Sequence, residues 1–188
     1  SDGTIVAIGA TGNDGPGDNA GQVRVYNFTN NTWTQLGQDI DGETAGDESG
    51  GSVSLSNCGT FVAIGAPGND GPGDNAGQVR VYNFSNNTWT QVGADIDGEA
   101  ANDYSGANSI SLSNNGSTVG IGAIFNDGNS ANSGDDRGHF RVYTYPMTKV
   151  GFSSSSITAK EGLNSTLDIP LTLTNPSATA STSVEVKL

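Results

Sequence analysis

Residues 60–99 decide the fold, because they read TFVAIGAPGNDGPGDNAGQVRVYNFSNNTWTQVGADIDGE and repeat residues 4–43, TIVAIGATGNDGPGDNAGQVRVYNFTNNTWTQLGQDIDGE. Over the whole repeat, residues 4–59 and 60–116 differ at eleven of 56 aligned positions, with one inserted residue near Gly106. A third, looser copy begins at Ser117 with STVGIGAIFNDG and continues to GHFRVYTY. A fixed period of this size marks a repeat architecture. We therefore divide residues 1–147 into units near 4–59, 60–116 and 117–147.

Each repeat contains four short runs that predict β-strands; in the first repeat they are TIVAIGA, GQVRVYNF, TWTQLG and GSVSLS. The first run is apolar on both faces, which is typical of a strand covered on two sides. Ile8, Ile64 and Ile121 lie in the middle of such runs and are predicted to be among the most buried residues. The connectors are rich in Gly, Asn and Asp, which accept the positive φ of tight turns. Four short antiparallel strands per ~40–60 residues match one β-propeller blade.

This pattern predicts an all-β fold of repeated four-stranded antiparallel blades. The GSVSLS-type strands should lie beside the VAIGA-type strands, and no helix longer than two turns is expected in residues 1–147.

A family resemblance rests on residues 49–82, SGGSVSLSNCGTFVAIGAPGNDGPGDNAGQVRVY. Ser49-Gly50 before an alternating strand, then VAIGAP at residues 62–67, then GQVRVY at residues 77–82 resemble the FG-GAP repeat of integrin-α-type β-propellers. The resemblance implies a partial β-propeller. That family often has an Asp-rich Ca²⁺ loop before the VAIGAP-like strand, whereas the corresponding loops here read SNCGT, SNNGS and SDGT.

From about Gly151 the composition changes, and residues 151–188 do not match the repeats. This segment resembles the opening of a Calx-β-like, immunoglobulin-type sandwich, and its 38 residues compare with the roughly 100 of such a domain. We therefore expect two or three strands that begin a sandwich within a longer polypeptide. Glu161 matches a glutamate that binds Ca²⁺ in many Calx-β domains, but its other ligands would lie beyond Leu188, so no occupied site is expected there.

The acidic charge of the chain limits the classes of partner that it is expected to bind. Twenty acidic residues against 7 basic ones give a net charge of -13. Such a surface repels phosphate, which argues against nucleic acids and anionic membranes as partners. It favours cations, Ca²⁺ in particular, although the charge could equally serve solubility. No apolar run approaches the roughly 20 residues that span a bilayer, so direct membrane insertion is not expected.

Two groups of carboxylates are the candidate Ca²⁺ ligands. The loop of residues 13–19, NDGPGDN, is copied at residues 69–75 and more loosely at residues 126–128 with Asp135 and Asp136. Ca²⁺ takes six to eight oxygens, often from closely spaced Asp side chains and loop carbonyls. The candidates are Asp14, Asp18, Asp70 and Asp74, followed by Asp39, Asp41, Asp95 and Asp97, with Glu43, Asp47, Glu99 and Asp103 in the same second group. The alternative is that these Asp-Gly sequences are turns capped by their own side chains.

Residues capable of catalysis are few. His139 is the only histidine and stands where the other repeats have Gln22 and Gln78, at the start of a strand. Cys58 is the only cysteine and lies in a predicted turn where the next repeat has Asn. The sequence contains no nucleophile elbow, HExxH motif or P-loop. We therefore predict no catalytic residues, no enzymatic activity and no cofactor other than Ca²⁺.

The leading functional hypothesis is a non-catalytic structural or adhesive module of a large secreted or cell-surface protein. Repeat-plus-sandwich chains of this kind resemble adhesins of marine bacteria exported by type IX secretion. The expected partners are other domains of the same polypeptide and a cell-surface protein or glycan. One alternative is a glycan-binding, lectin-like propeller using Trp33 and Trp89, although one Trp per repeat is also typical of packing between blades. Another is an accessory part of a polysaccharide-degrading enzyme whose catalytic residues lie elsewhere.

Overall fold

The computed structural model describes residues 3–128 and 136–145, together with two strands at residues 149–152 and 171–174. All of its regular structure is β, every pairing between strands is antiparallel, and the described residues contain no helix. The expected all-β fold without helices is therefore confirmed for this part of the chain. The chain divides into two compact units, Ser1–Tyr145 and Pro146–Leu188.

The first unit contains three sheets in succession. The first sheet comprises β1 (Ile5–Ala10), β2 (Gln22–Thr29), β3 (Thr32–Gln35) and β4 (Ile40–Asp41). The second comprises β5 (Ser52–Leu55), β6 (Phe61–Ala66), β7 (Gln78–Ser85), β8 (Thr88–Gln91) and β9 (Ile96–Asp97). The third comprises β10 (Ile110–Leu112), β11 (Thr118–Ala123) and β12 (His139–Thr144). The short strand β4 pairs with the start of β2, along the same edge as the TWTQ strand β3, and β9 pairs with β7 in the same way.

The GSVSLS-type strand joins the sheet of the following repeat. Val53 of β5 pairs with Ile64 of β6, and Leu55 pairs with Val62. β10 pairs with β11 in the same way. The predicted adjacency of these two strand types is confirmed, and the second and third sheets each cross a boundary of the sequence repeat.

Tight turns follow from the Asn-rich connectors. Thr29 pairs with Thr32, which leaves a two-residue loop at Asn30 and Asn31 with φ of 51° and 63°. A two-residue hairpin of this kind requires positive φ at both central residues, and Asn tolerates it better than most residues with a side chain. The NN dipeptide therefore sets the register of β2 against β3, and its copy at residues 86–87 does the same for β7 and β8.

Alternation along the strands gives every sheet two faces. We call one the trailing face, which in the first sheet carries Ile5, Ala7, Val23 and Val25. We call the other the leading face, which in the first sheet carries Val6, Ile8, Arg24, Tyr26, Phe28 and Trp33. The corresponding leading-face residues are Val62, Ile64, Arg80, Tyr82, Phe84 and Trp89 in the second sheet, and Val119, Ile121, Arg141, Tyr143 and Tyr145 in the third, as the strand registers define.

Two hydrophobic cores lie where a trailing face meets the next leading face. Val23 and Val25 of the first sheet share one core with Val62 and Ile64 of the second. The second core joins the trailing face of the second sheet to the leading face of the third; its buried members are Ala63, Val79, Val81, Ile96, Leu112, Val119 and Ile121. The repeats therefore pack head to tail through equivalent surfaces.

Glycines allow the sheets to approach closely at these seams. A Cβ added at Gly9 would lie 2.1 Å from the backbone oxygen of Gly50, and one added at Gly65 would lie 2.2 Å from that of Gly106. The glycine in each VAIGA run is therefore required by backbone contact with the segment that leads into the next repeat.

The prediction that all three equivalent isoleucines are buried is wrong for one of them. Ile64 and Ile121 are each 1% exposed, as expected, but Ile8 is 52% exposed. Ile8 lies on the leading face of the first sheet, and none of the described sheets packs on that face. The apolar pattern of TIVAIGA is the same in all repeats, so it could not distinguish the covered copies from the open one.

The second unit is described only in two strands. β13 (Lys149–Phe152) pairs antiparallel with β14 (Leu171–Thr174), and Phe152 lies opposite Leu171. β14 lies within residues 151–188, where two or three strands are expected. The remainder of the proposed sandwich, including Glu161, lies outside the described residues.

Candidate functional site

The NDGPGDN loops are closed by their own side chains. Asp14 Oδ1 accepts a hydrogen bond from the backbone nitrogen of Asn19 at 2.9 Å, and Asp70 Oδ1 accepts one from that of Asn75 at 2.8 Å. Each loop also begins with an Asn whose Oδ1 accepts the nitrogen two residues later. Asp18 and Asp74 are exposed, and their backbone oxygens accept the nitrogens of residues 46 and 102. These contacts are the ones the turn interpretation requires.

The fold places one carboxylate of the second group, Asp41 or Asp97, beside the backbone of the NDGPGDN loop, although the two are more than 20 residues apart in sequence. A Cβ added at Gly15 would lie 3.5 Å from Asp41 Oδ1, and one added at Gly71 would lie 3.2 Å from Asp97 Oδ1. Asp41 Oδ1 also accepts a hydrogen bond from Gln22 Nε2 at 2.7 Å. Within the described residues, no three His, Cys, Asp or Glu side chains are grouped closely enough to hold a metal ion. Ca²⁺ binding stays a prediction.

Asp39 and Asp95 lie at the start of the second acidic segment of each repeat. Asp39 accepts two hydrogen bonds from Arg24, from Nε and Nη2, at 2.9 Å each, and a third from Gln35. The Arg24 contact lowers the pKa of Asp39 below its ordinary value. Asp95 accepts a bond from Gln91 Nε2 at 2.7 Å. Both carboxylates are therefore engaged with side chains of their own repeat.

Asp47 and Asp103 have a structural role that sequence reasoning did not identify. They are only 1% and 3% exposed. Asp47 accepts the backbone nitrogens of residues 43 and 44 and the hydroxyl of Thr44, and Asn69 of the next repeat donates to it at 3.3 Å. Asp103 accepts the equivalent backbone nitrogens and a bond from Asn126 Nδ2 at 2.7 Å. A buried carboxylate is tolerated when it is hydrogen-bonded in this way.

An arginine crosses each seam between repeats. Arg80 Nη2 donates to the backbone oxygen of Asp41 at 3.0 Å, and its Nη1 lies 3.4 Å from Glu43 Oε1. Arg141 Nη2 donates to the backbone oxygen of Asp97 at 2.7 Å. Each arginine therefore ties its leading face to the acidic segment of the preceding repeat.

A tryptophan fixes the other end of the first seam. Trp89 is 3% exposed, and its Nε1 donates to the backbone oxygen of Leu36 at 2.8 Å. Gln38 makes two further hydrogen bonds to the backbone of Trp89. The equivalent Trp33 is 47% exposed and packs on Phe28, with ring centroids 4.9 Å apart. The two candidate glycan-binding tryptophans thus have opposite environments.

His139 and Cys58 lie on the surface in different places. His139 Nδ1 is 2.7 Å from Glu99 Oε2, and this contact is the main reason why the pKa of Glu99 is lowered. Cys58 is exposed, and Thr60 lies against its Sγ and lowers the pKa of the thiol. His139 therefore contributes to the seam between the second and third repeats, since Glu99 belongs to the preceding acidic segment.

Comparison with models of known protein families and with curated proteins found no match for this chain. In the part of the chain that the structure describes, no helix has the length and apolar character needed to cross a membrane.

Proposed function

We propose that the chain is a non-catalytic structural or adhesive module of a large secreted or cell-surface repeat protein. The observation that carries this proposal is that the same kind of seam occurs twice. At each seam, the arginine of one repeat donates to the acidic segment of the repeat before it. Such head-to-tail packing builds a scaffold from a single repeated sequence unit. The proposed arrangement is a set of FG-GAP-like propeller blades, followed by a Calx-β-like sandwich.

The roles of the polar side chains support a scaffold. Asp14 and Asp70 close their own loops, and Asp47 and Asp103 stabilise seams. His139 pairs with Glu99 rather than with a nucleophile. These five side chains are thus engaged in holding loops and seams together. The acidic surface fits an extracellular setting in which Ca²⁺ is abundant, and Ca²⁺ is the cation that we propose for the loops of residues 13–19 and 69–75.

Adhesion under flow tests this proposal. Beads carrying the full chain are passed over glass coated with a glycoprotein, glass coated with an immobilised polysaccharide, or uncoated glass. Beads carrying albumin serve as the control. We expect the chain to hold beads on a coated surface at shear that removes the albumin beads. Equal detachment of both kinds of bead from every surface would contradict the adhesive role. Release of reducing ends from the polysaccharide would contradict the non-catalytic role.

A second candidate function is glycan binding, which the exposure of Trp33 favours. Trp33 and Phe28 form an aromatic pair that is 47% and 38% exposed. Aromatic rings with one open face are common anchors at binding surfaces. Replacing Trp33 by Ala should abolish bead retention on polysaccharide if this pair binds glycans, whereas the same change at the adjacent exposed Thr32 should leave it intact. Bead retention that survives Trp33→Ala would contradict glycan binding by the Trp33–Phe28 pair.

A further inference from the structure

The leading face of the first sheet has the residues of a seam but is not covered by any described sheet. Ile8 is 52% exposed where its equivalent Ile64 is 1% exposed, and Trp33 is 47% exposed where Trp89 is 3% exposed. Phe28 of the same face is 38% exposed. Together they form an apolar patch, whereas the second repeat buries the equivalents Ile64 and Trp89. Exposed apolar patches of this kind commonly mark interaction sites.

The second repeat shows what such a face binds. Its leading face is covered by the trailing face of the first repeat, where Val23 and Val25 are both fully buried. Trp89 reaches the backbone oxygen of Leu36 in that repeat. The third repeat is covered in the same manner by Val79 and Val81 of the second.

Charge complementarity follows the same pattern. The side chain of Arg80 is 7% exposed and lies against Glu43 across the seam, whereas that of Arg24 is 45% exposed. Arg24 pairs instead with Asp39 of its own repeat. A preceding repeat would bring an acidic segment, equivalent to residues 41–43, to the open side of Arg24.

The edge of β1 agrees with this interpretation. In the second sheet, β6 is paired on both edges, with β5 on one side and β7 on the other. Among the described strands, β1 pairs only with β2. A repeat with the sequence of residues 4–59 ends in GSVSLS, the strand type that occupies the equivalent edge of β6.

We propose that the leading face of the first sheet is an interaction surface for the trailing face of another repeat of this kind, joined in tandem. The open face is continuous with two established seams and presents the same side chains in the same register. The occupant would place its Val-x-Val strand over Ile8 and its GSVSLS strand along β1. This inference rests on packing and charge, and it holds whether or not the module is adhesive.

The test adds one repeat to the full chain. A second copy of residues 4–59 is inserted between Gly3 and Thr4, so that the new junction Gly59–Thr4 reproduces the natural Gly59–Thr60. Every tryptophan except the original Trp33 is replaced by Phe, and its fluorescence is quenched with acrylamide. The unextended chain with Trp89→Phe is the reference. We expect the quenching constant of Trp33 to fall several-fold in the extended chain.

Two further measurements decide between occupants. A matched chain whose inserted copy carries Val23→Asp and Val25→Asp should leave Trp33 as accessible as in the reference. Circular dichroism checks that the original repeats stay folded. So does weak acrylamide quenching of Trp89 in an extended chain that retains this tryptophan. Unchanged quenching of Trp33 in the extended, folded chain would overturn the proposal. Two results with the unextended chain would also overturn the proposal. Quenching of Trp33 that falls as the protein concentration rises would favour a second copy of the chain as the occupant. Quenching that falls when a polysaccharide is added would favour a glycan.

Discussion

Truncation of equivalent isoleucines should have unequal effects on stability, because the sequence position is the same but the packing differs. Ile64 is 1% exposed between two sheets, and Ile8 is 52% exposed. Ile→Ala removes three carbons, worth about 0.8 kcal/mol each when fully buried. A cavity term adds to this at Ile64, so the expected loss is about 2–5 kcal/mol. At Ile8 about half the transfer term applies and no closed cavity forms, which gives about 1 kcal/mol.

Urea unfolding followed by far-ultraviolet circular dichroism measures these losses as changes in the free energy of unfolding. Ile121→Ala provides a third position, also 1% exposed, and should behave like Ile64→Ala. The ordering Ile64 and Ile121 above Ile8 is the expected result. Equal losses at all three positions, or a larger loss at Ile8, would refute the head-to-tail packing of the sheets.

Three further results are expected. Asp47→Asn should cost about 1–3 kcal/mol, because an amide cannot accept all the bonds made by this buried carboxylate, whereas Asp18→Asn should cost under about 0.5 kcal/mol by the same urea titration. His139 lowers the pKa of Glu99 in the folded chain, so the ionised carboxylate stabilises the fold above its unfolded pKa. This stabilisation is lost as the pH falls through the folded pKa. Because the pair is exposed to solvent, Glu99→Gln should remove only about 0.2–1 kcal/mol of pH-dependent unfolding free energy in this acidic range. The Ca²⁺ prediction requires a higher melting temperature in millimolar Ca²⁺ than in excess EDTA, and coincident melting curves would contradict it.

The strands and turns could be predicted from sequence because their signals are local. The alternation of GQVRVYNF, the apolar VAIGA run and the NN hairpin turn each specify backbone conformation within a few residues. The repeat then supplied the expectation that equivalent strands have equivalent surroundings. That expectation failed at Ile8, since burial depends on which sheet lies opposite and not on the residue's own neighbours.

The candidate site was less predictable because its contacts join distant parts of the chain. Asp41 lies beside Gly15, and Asp47 accepts a bond from Asn69 of the next repeat. Sequence reasoning placed the acidic residues in two groups of candidate ligands, but it did not separate buried members from exposed ones. Asp47 and Asp103 precede the Asn of the following NDG loop by 22 and 23 residues, but the exposed candidates recur just as regularly, so the repeat gave no signal that separates buried carboxylates from exposed ones.

The central claim is that equivalent repeats pack head to tail, which buries one tryptophan and leaves its copy open. Acrylamide quenching of the single-tryptophan variants Trp33→Phe and Trp89→Phe tests it most directly. Trp89 is 3% exposed and Trp33 is 47% exposed. The account predicts a quenching constant several-fold smaller for the chain that retains Trp89 than for the chain that retains Trp33. Equal constants, or stronger quenching of Trp89, would contradict it.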